Sequence, residues 1–101
     1  MIEAKKLIEE LKKININFFT GVPDSLLSEF SKSLHFDFKD ENHIISTNEG
    51  SALATCMGYN LATKKTPLIY MQNSGLGNFI NPYVSLLHRE IYDIPFVLLI
   101  G

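Results

Sequence analysis

The stretch Thr47-Asn48-Glu49-Gly50-Ser51-Ala52-Leu53-Ala54-Thr55-Cys56-Met57-Gly58-Tyr59-Asn60-Leu61-Ala62-Thr63 decides how this chain folds. It opens polar and continues with small residues, while Leu53, Cys56, Met57, Asn60 and Leu61 recur at roughly helical spacing. The pattern predicts a buried helix, capped by Asn48 or Thr47, with Glu49 in its first turn. The apolar run 43–46 just before it reads as a β-strand. A carboxylate thus stands at a strand-to-helix junction. In an α/β sheet such junctions lie at the carboxyl ends of the strands, where ligands bind. An acidic residue in a first turn also complements the helix dipole, which is a purely structural explanation of Glu49. The small residues after it let the helix pack closely on the sheet or on another helix. In such a dry seam a carboxylate needs a partner, because an unpaired buried charge is costly.

Toward the amino terminus, Leu7, Ile8, Leu11 and Ile14 form one face of an amphipathic helix over residues 3–13, with the lysines and glutamates largely outside it. Residues 15–20 read as a strand entering the turn Gly21-Val22-Pro23-Asp24-Ser25. A helix over 26–34 follows, for which Asp24 or Ser25 would serve as cap, and 35–42 reads as a surface loop. Toward the carboxyl terminus, 63–66 turns the chain into an apolar strand over 67–71. The polar turn Gln72-Asn73-Ser74-Gly75-Leu76-Gly77-Asn78 then enters a helix over 79–87. Pro82 is placed early in it, where its missing N–H matters least. Asp93 and Pro95 mark a turn before an apolar strand over 96–100.

The order is α-β-α-β-α-β-α-β, which predicts an α/β fold with a mostly parallel sheet and helices on both faces. The strands are apolar throughout rather than alternating, as expected when both faces are covered. No repeat or linker divides residues 1–101, so they form one domain or part of one. The last strand would otherwise be an exposed apolar edge, so the expectation is a domain incomplete at its carboxyl terminus.

Composition narrows the function. Apolar residues are 46% of the chain, enough for a core; charged residues are 20% and the net charge is −2, and neither value suggests nucleic acid or an anionic membrane as partner. Cys56 stands alone, so there is neither an internal disulfide nor a cysteine metal cluster, and it reads as a small buried hydrophobe. Glu3, Glu9 and Glu10 are unlike the h-region of a signal peptide, and no apolar run approaches membrane-spanning length. A soluble, cytoplasmic protein is the expectation.

In a parallel sheet the three polar turns share one rim, which gathers Asp24, Ser25, Asn48, Glu49, Asn73, Ser74 and Asn78. Gly75-Leu76-Gly77 lacks the third glycine of a dinucleotide fingerprint, with Ile80 in its place, and no phosphate-binding P-loop occurs. His35, His43 and His88 lack metal-ligand spacing, so no metal ligand is assigned. Ser25 and Ser74 have no evident His/Asp partners for a hydrolytic triad. What remains is a carboxylate beside amide and hydroxyl groups, a set suited to proton exchange with a bound heteroaromatic ring.

Three motifs, Phe19-Thr20-Gly21-Val22-Pro23-Asp24-Ser25-Leu26-Leu27, Asn48-Glu49-Gly50 and Tyr70-Met71-Gln72-Asn73-Ser74-Gly75-Leu76-Gly77-Asn78, carry a family resemblance. In register over nearly the whole chain, they resemble the start of the pyrimidine-binding domain of thiamine-diphosphate-dependent 2-oxo-acid decarboxylases, in the branch that acts on phosphonopyruvate or sulfopyruvate. The resemblance implies a flavodoxin-like fold. It implies that Glu49 is the catalytic glutamate that hydrogen-bonds the pyrimidine ring nitrogen of thiamine diphosphate. Pro23, Asn73 and Ser74 would line the pyrimidine pocket, Asp24 would relay a proton, and Ser25 and Asn78 would face substrate. The implied reaction converts 3-phosphonopyruvate to phosphonoacetaldehyde and carbon dioxide; the alternative is the alpha subunit of a two-chain sulfopyruvate enzyme. The family's Gly-Asp-Gly motif for Mg2+ and diphosphate is absent. The resemblance therefore implies a diphosphate-binding domain, of the same or another chain, in a homo-oligomer. Against it stands a non-catalytic α/β binding module, in which Glu49 is only a dipole complement.

Overall fold

The computed structural model describes residues 2–39 and 41–101. Helix α1 spans Ala4–Lys13, strand β1 Phe19–Gly21, helix α2 Ser28–Asp37, strand β2 His43–Ile45, helix α3 Glu49–Thr63, strand β3 Leu68–Met71, helix α4 Leu76–Leu86 and strand β4 Val97–Ile100. Short 3₁₀ turns, Ser25–Leu27 and Asn73–Gly75, lead into α2 and α4. The alternation expected from the sequence is the one observed.

All four strands are parallel, in the spatial order β2-β1-β3-β4. The chain leaves β1 toward one side to form β2, then crosses back to place β3 on the other side. Crossovers of one hand running in opposite directions put their helices on opposite faces, and the sheet has its switch point between β1 and β3. Two cores result. Ile8, Leu11, Phe30 and Leu34 of α1 and α2 pack on Phe19, Leu68 and Tyr70. On the other face, Ala52, Leu53 and Cys56 of α3 and Phe79 of α4 pack with Phe18, Ile69 and Met71. Leu53 is fully buried, so its truncation to alanine costs about 2–5 kcal/mol. No helix among the described residues is long and apolar enough to cross a membrane.

Four expectations shift. Strand β1 starts at Phe19 rather than at residue 15, because Asn15 takes a left-handed backbone (φ 63°) and turns the chain after α1. Helix α2 runs on to Asp37, so most of the expected 35–42 loop is helical or turn; Asp40, within that range, lies outside the described residues. Asp24 and Ser25 do not cap α2, which begins at Ser28 without a side-chain cap bond. Helix α4 begins at Leu76, which makes Pro82 its seventh residue. The ring removes the N–H that would have bonded the Asn78 carbonyl, and helix α3 packs against that gap. A Cβ on Gly50 would meet the Asn78 carbonyl oxygen and Pro82 Cγ at 3.4 Å each.

Candidate active site on the rim between β1 and β3

Helix α3 places Glu49. The side chain of Asn48 accepts a hydrogen bond from Ser51 N at 2.9 Å, which fixes the start of the helix. Glu49 is then its first residue. Counting along α3, Glu49, Ala52, Leu53, Cys56 and Asn60 fall on one stripe, and all five are buried. Glu49 is therefore turned into the molecule by the same periodicity that turns Leu53 inward, and it is only 8% exposed. Its Oε2 accepts a hydrogen bond from Asn78 Nδ2 at 3.1 Å. Gly75 closes over the other oxygen: a Cβ there would collide with Oε1 and stand 2.6 Å from Cδ. Gly75 has an ordinary helical φ of −81°, so its lack of a side chain serves this close approach rather than a backbone conformation.

The ends of β1 and β3 are laced together. Val22 N donates to the Tyr70 carbonyl at 3.2 Å, and a Cβ on Gly21 would collide with that same carbonyl. Gln72 Nε2 donates to Asp24 Oδ1 at 3.0 Å, while the Ser74 hydroxyl donates to Gln72 Oε1. Asp24 Oδ2 is shut away from water with no hydrogen-bond partner among the described residues. At the end of β4, Asn73 N donates to the Gly101 carbonyl at 3.1 Å. The Thr20 and Ser46 hydroxyls pair at 2.8 Å and join β1 to the end of β2.

The sequence-chosen residues fall into two adjoining groups. Glu49 and Asn78 form one, around Gly75; Asp24 and Ser74 form the other, around Gln72. Ser74 and Gly75 are consecutive, so one loop serves both. Asn73 and Ser74 are exposed on this loop. Pro23 and Ser25 are also exposed, but they line a different feature with Asp24: a cleft of about 450 Å³ between α2 and β2, bordered by Lys32, His35 and His43. Glu49, Asn73, Ser74 and Asn78 do not line it. His43 is buried there against the Tyr70 hydroxyl, 2.8 Å from its Nε2, and burial pushes the Tyr70 hydroxyl above its ordinary pKa. Sequence reasoning passed over Gln72 and Gly75. The signal for Gln72 was topological: Gly21 and Tyr70 are register partners, so the polar residues just past each face one another. Among the described residues no three His, Cys, Asp or Glu side chains gather in a way that could hold a metal ion.

The parallel sheet and its helices share their fold with part of larger enzymes of known structure. An enzyme from Mycobacterium smegmatis described as thiamin diphosphate-dependent superposes over 100% of this chain and 19% of its own, with a TM-score of 0.82 and 24% identity. Benzoylformate decarboxylase from Polynucleobacter necessarius does so over 100% and 18%, with a TM-score of 0.80 and 22% identity. In sequence, the chain is similar to proteins named as sulfopyruvate and phosphonopyruvate decarboxylases. It is 41% identical to the sulfopyruvate decarboxylase alpha subunit of Methanocaldococcus jannaschii over 91 residues, 90% of this chain and 52% of that subunit. It is likewise 41% identical to that of Methanococcus maripaludis over 86 residues, 85% and 49%. Phosphonopyruvate decarboxylase of Streptomyces hygroscopicus is 35% identical over 88 residues, 87% of this chain and 21% of that enzyme. The chain thus spans about half the length of the sulfopyruvate relatives it matches. No family model matches it.

Proposed function

We propose that this chain supplies the pyrimidine-binding part of a thiamine-diphosphate-dependent decarboxylase whose substrate is a 2-oxo acid with an anionic head, sulfopyruvate or phosphonopyruvate. The observation that carries the reading is Glu49: a carboxylate on the buried stripe of α3, at a strand-end rim, held by one amide and covered by a glycine. The donor set fits the cofactor's aminopyrimidine. Glu49 offers an oxygen able to hold or share a proton with a ring nitrogen, Asn73 and Ser74 offer exposed polar surface on the loop that carries Gly75, and Pro23 offers flat apolar surface on the neighbouring cleft. When bound, thiamine diphosphate would supply the electron sink for loss of carbon dioxide. The residues of this chain do the rest. Asn78 donates to Oε2 and so fixes the rotamer of Glu49; Glu49 keeps its other oxygen for the shared proton; helix α4 and Gly75 keep water off that carboxylate. Asp24 stands across the β3 loop as a second group able to move a proton, and Ser25 faces the cleft in which the substrate's anionic head would sit.

Mg2+ and the diphosphate would be held outside this chain, by a further domain or subunit, and a homo-oligomer would bring the two halves of the site together. Sulfopyruvate comes first in the test because the 41% identical relatives are sulfopyruvate decarboxylase subunits. The full protein, with any partner subunit, is given each 2-oxo acid together with thiamine diphosphate and Mg2+. Carbon dioxide release from one of them is expected; none from either overturns the proposal. Glu49→Gln should lower the turnover by about 10²–10⁴-fold, the usual worth of a positioned acid or base.

A further inference from the structure

Asp24 is held in an unusual way. Its Oδ2 is inaccessible to water and has no donor among the described residues. A Cβ on Gly101 would lie 2.6 Å from that oxygen, so the end of β4 presses on it. Any chemistry at Asp24 therefore runs through Oδ1, and the donor on Oδ1 is Gln72 Nε2 at 3.0 Å. The orientation of the Gln72 amide is determined by its surroundings. The amino side of the amide, its donor side, faces Asp24 Oδ1. The carbonyl side then faces Ser74, whose hydroxyl donates to it. The three side chains form one directional chain, Ser74 to Gln72 to Asp24, that spans the rim from β3 to β1. An Oδ1 with one donor keeps acceptor capacity for a second.

We propose that Gln72 is a positioning residue of this site: with Ser74 setting its amide, it holds Asp24 so that Oδ1 alone is presented at the rim. Asp24 is one of the residues lining the cleft between α2 and β2. Gln72 thereby fixes the second proton-handling group relative to the cleft. The assignment of a catalytic consequence rests on the decarboxylase reading; the side-chain chain itself does not.

The test is a double-mutant cycle in the full protein, with Gln72→Ala, Asp24→Asn and the pair together. Gln72→Ala should lower kcat by about 10–100-fold, as expected for a displaced catalytic group, while thiamine diphosphate affinity by calorimetry stays within about two-fold of wild type, because Gln72 does not touch Glu49. In the Asp24→Asn background the same substitution should cost nothing further, since a residue that acts through Asp24 has no effect once the carboxylate is gone. Equal losses in both backgrounds, or an unchanged kcat in Gln72→Ala, overturn the proposal. A second readout is independent of turnover. In a glutamine-labelled ¹H–¹⁵N spectrum of the full protein, the Gln72 side-chain amide is assigned by the signal that Gln72→Ala removes. Its two protons should be widely separated and slow to exchange, and should collapse to free-amide positions in Asp24→Ala. An amide signal unmoved by that substitution overturns the positioning role. If wild type releases no carbon dioxide, the decarboxylase reading fails, and this spectrum alone decides whether Gln72 holds Asp24.

Discussion

Replacing Gly75 by alanine probes the packing on which the site depends. The backbone at Gly75 is helical, with φ −81°, so on conformational grounds alanine would stabilise the chain by about 0.4–1 kcal/mol through the unfolded state. The Glu49 carboxyl group reverses that sign. The new Cβ would stand 2.6 Å from Glu49 Cδ and 2.8 Å from Cγ, inside the 3.4 Å at which ordinary contact begins by about 0.8 and 0.6 Å. Glu49 must move by most of that distance, and it is 8% exposed, with Asn78 3.1 Å away on Oε2. Overpacking of this size costs about 1–3 kcal/mol, which exceeds the backbone gain. The expected net is a destabilisation of about 1–2 kcal/mol in denaturant unfolding. A displacement approaching 1 Å at a proton-sharing carboxylate should also cost about 10²-fold in carbon dioxide release. Gly77→Ala is the control two residues on: its Cβ would meet nothing within 4 Å, so stability should rise slightly and turnover stay unchanged. A Gly75→Ala protein as stable as the Gly77→Ala protein and within three-fold of wild-type turnover would refute the reasoning.

Other substitutions read neighbouring features. Gly58 lies inside α3 with open space around a Cβ; Gly58→Ala should stabilise by about 0.5–1 kcal/mol, measured as a higher urea midpoint at constant m. Asn78→Asp sets a second carboxylate where the amide now donates to Glu49 at 3.1 Å. The variant should lose about 1–3 kcal/mol at pH 7, measured by denaturant unfolding. Burial pushes the Cys56 thiol well above its ordinary 9.0. The folded chain then keeps a proton that the unfolded chain releases. This contribution to stability is present below pH 9.0 and is lost as the pH rises from there. Unfolding midpoints at pH 8 and pH 10 should show the drop, and Cys56→Ala should make it smaller; an equal drop in both proteins would mean Cys56 is not its source.

Much of this was legible in the residues. The alternation of helical and strand patterns gave the parallel α/β sheet, because continuous apolar strands need cover on both faces. The run 47–63 placed Glu49 at a strand end, and the small residues after it pointed to a close-packed seam; Leu61, on the expected apolar stripe, is instead 42% exposed. The cap at Asn48 was readable because capping and periodicity are local, and local chemistry is written in order along the chain. Where neighbours from elsewhere intervene, the reading failed. Asp24 has the side chain of a helix cap, yet its carboxylate turns to Gln72, because the register of β1 against β3 brings the two turns together.

The sequence by itself therefore determined the elements, the layered architecture and the presence of an inward carboxylate at the rim. Only the tertiary structure decided which groups that carboxylate meets. Gly75 over Glu49, Asn78 beside it, and Gln72 between Ser74 and Asp24 all arise from contacts between elements rather than within one. Those contacts depend on strand order and on how closely α3 and α4 approach, and neither quantity is encoded in any single stretch of residues.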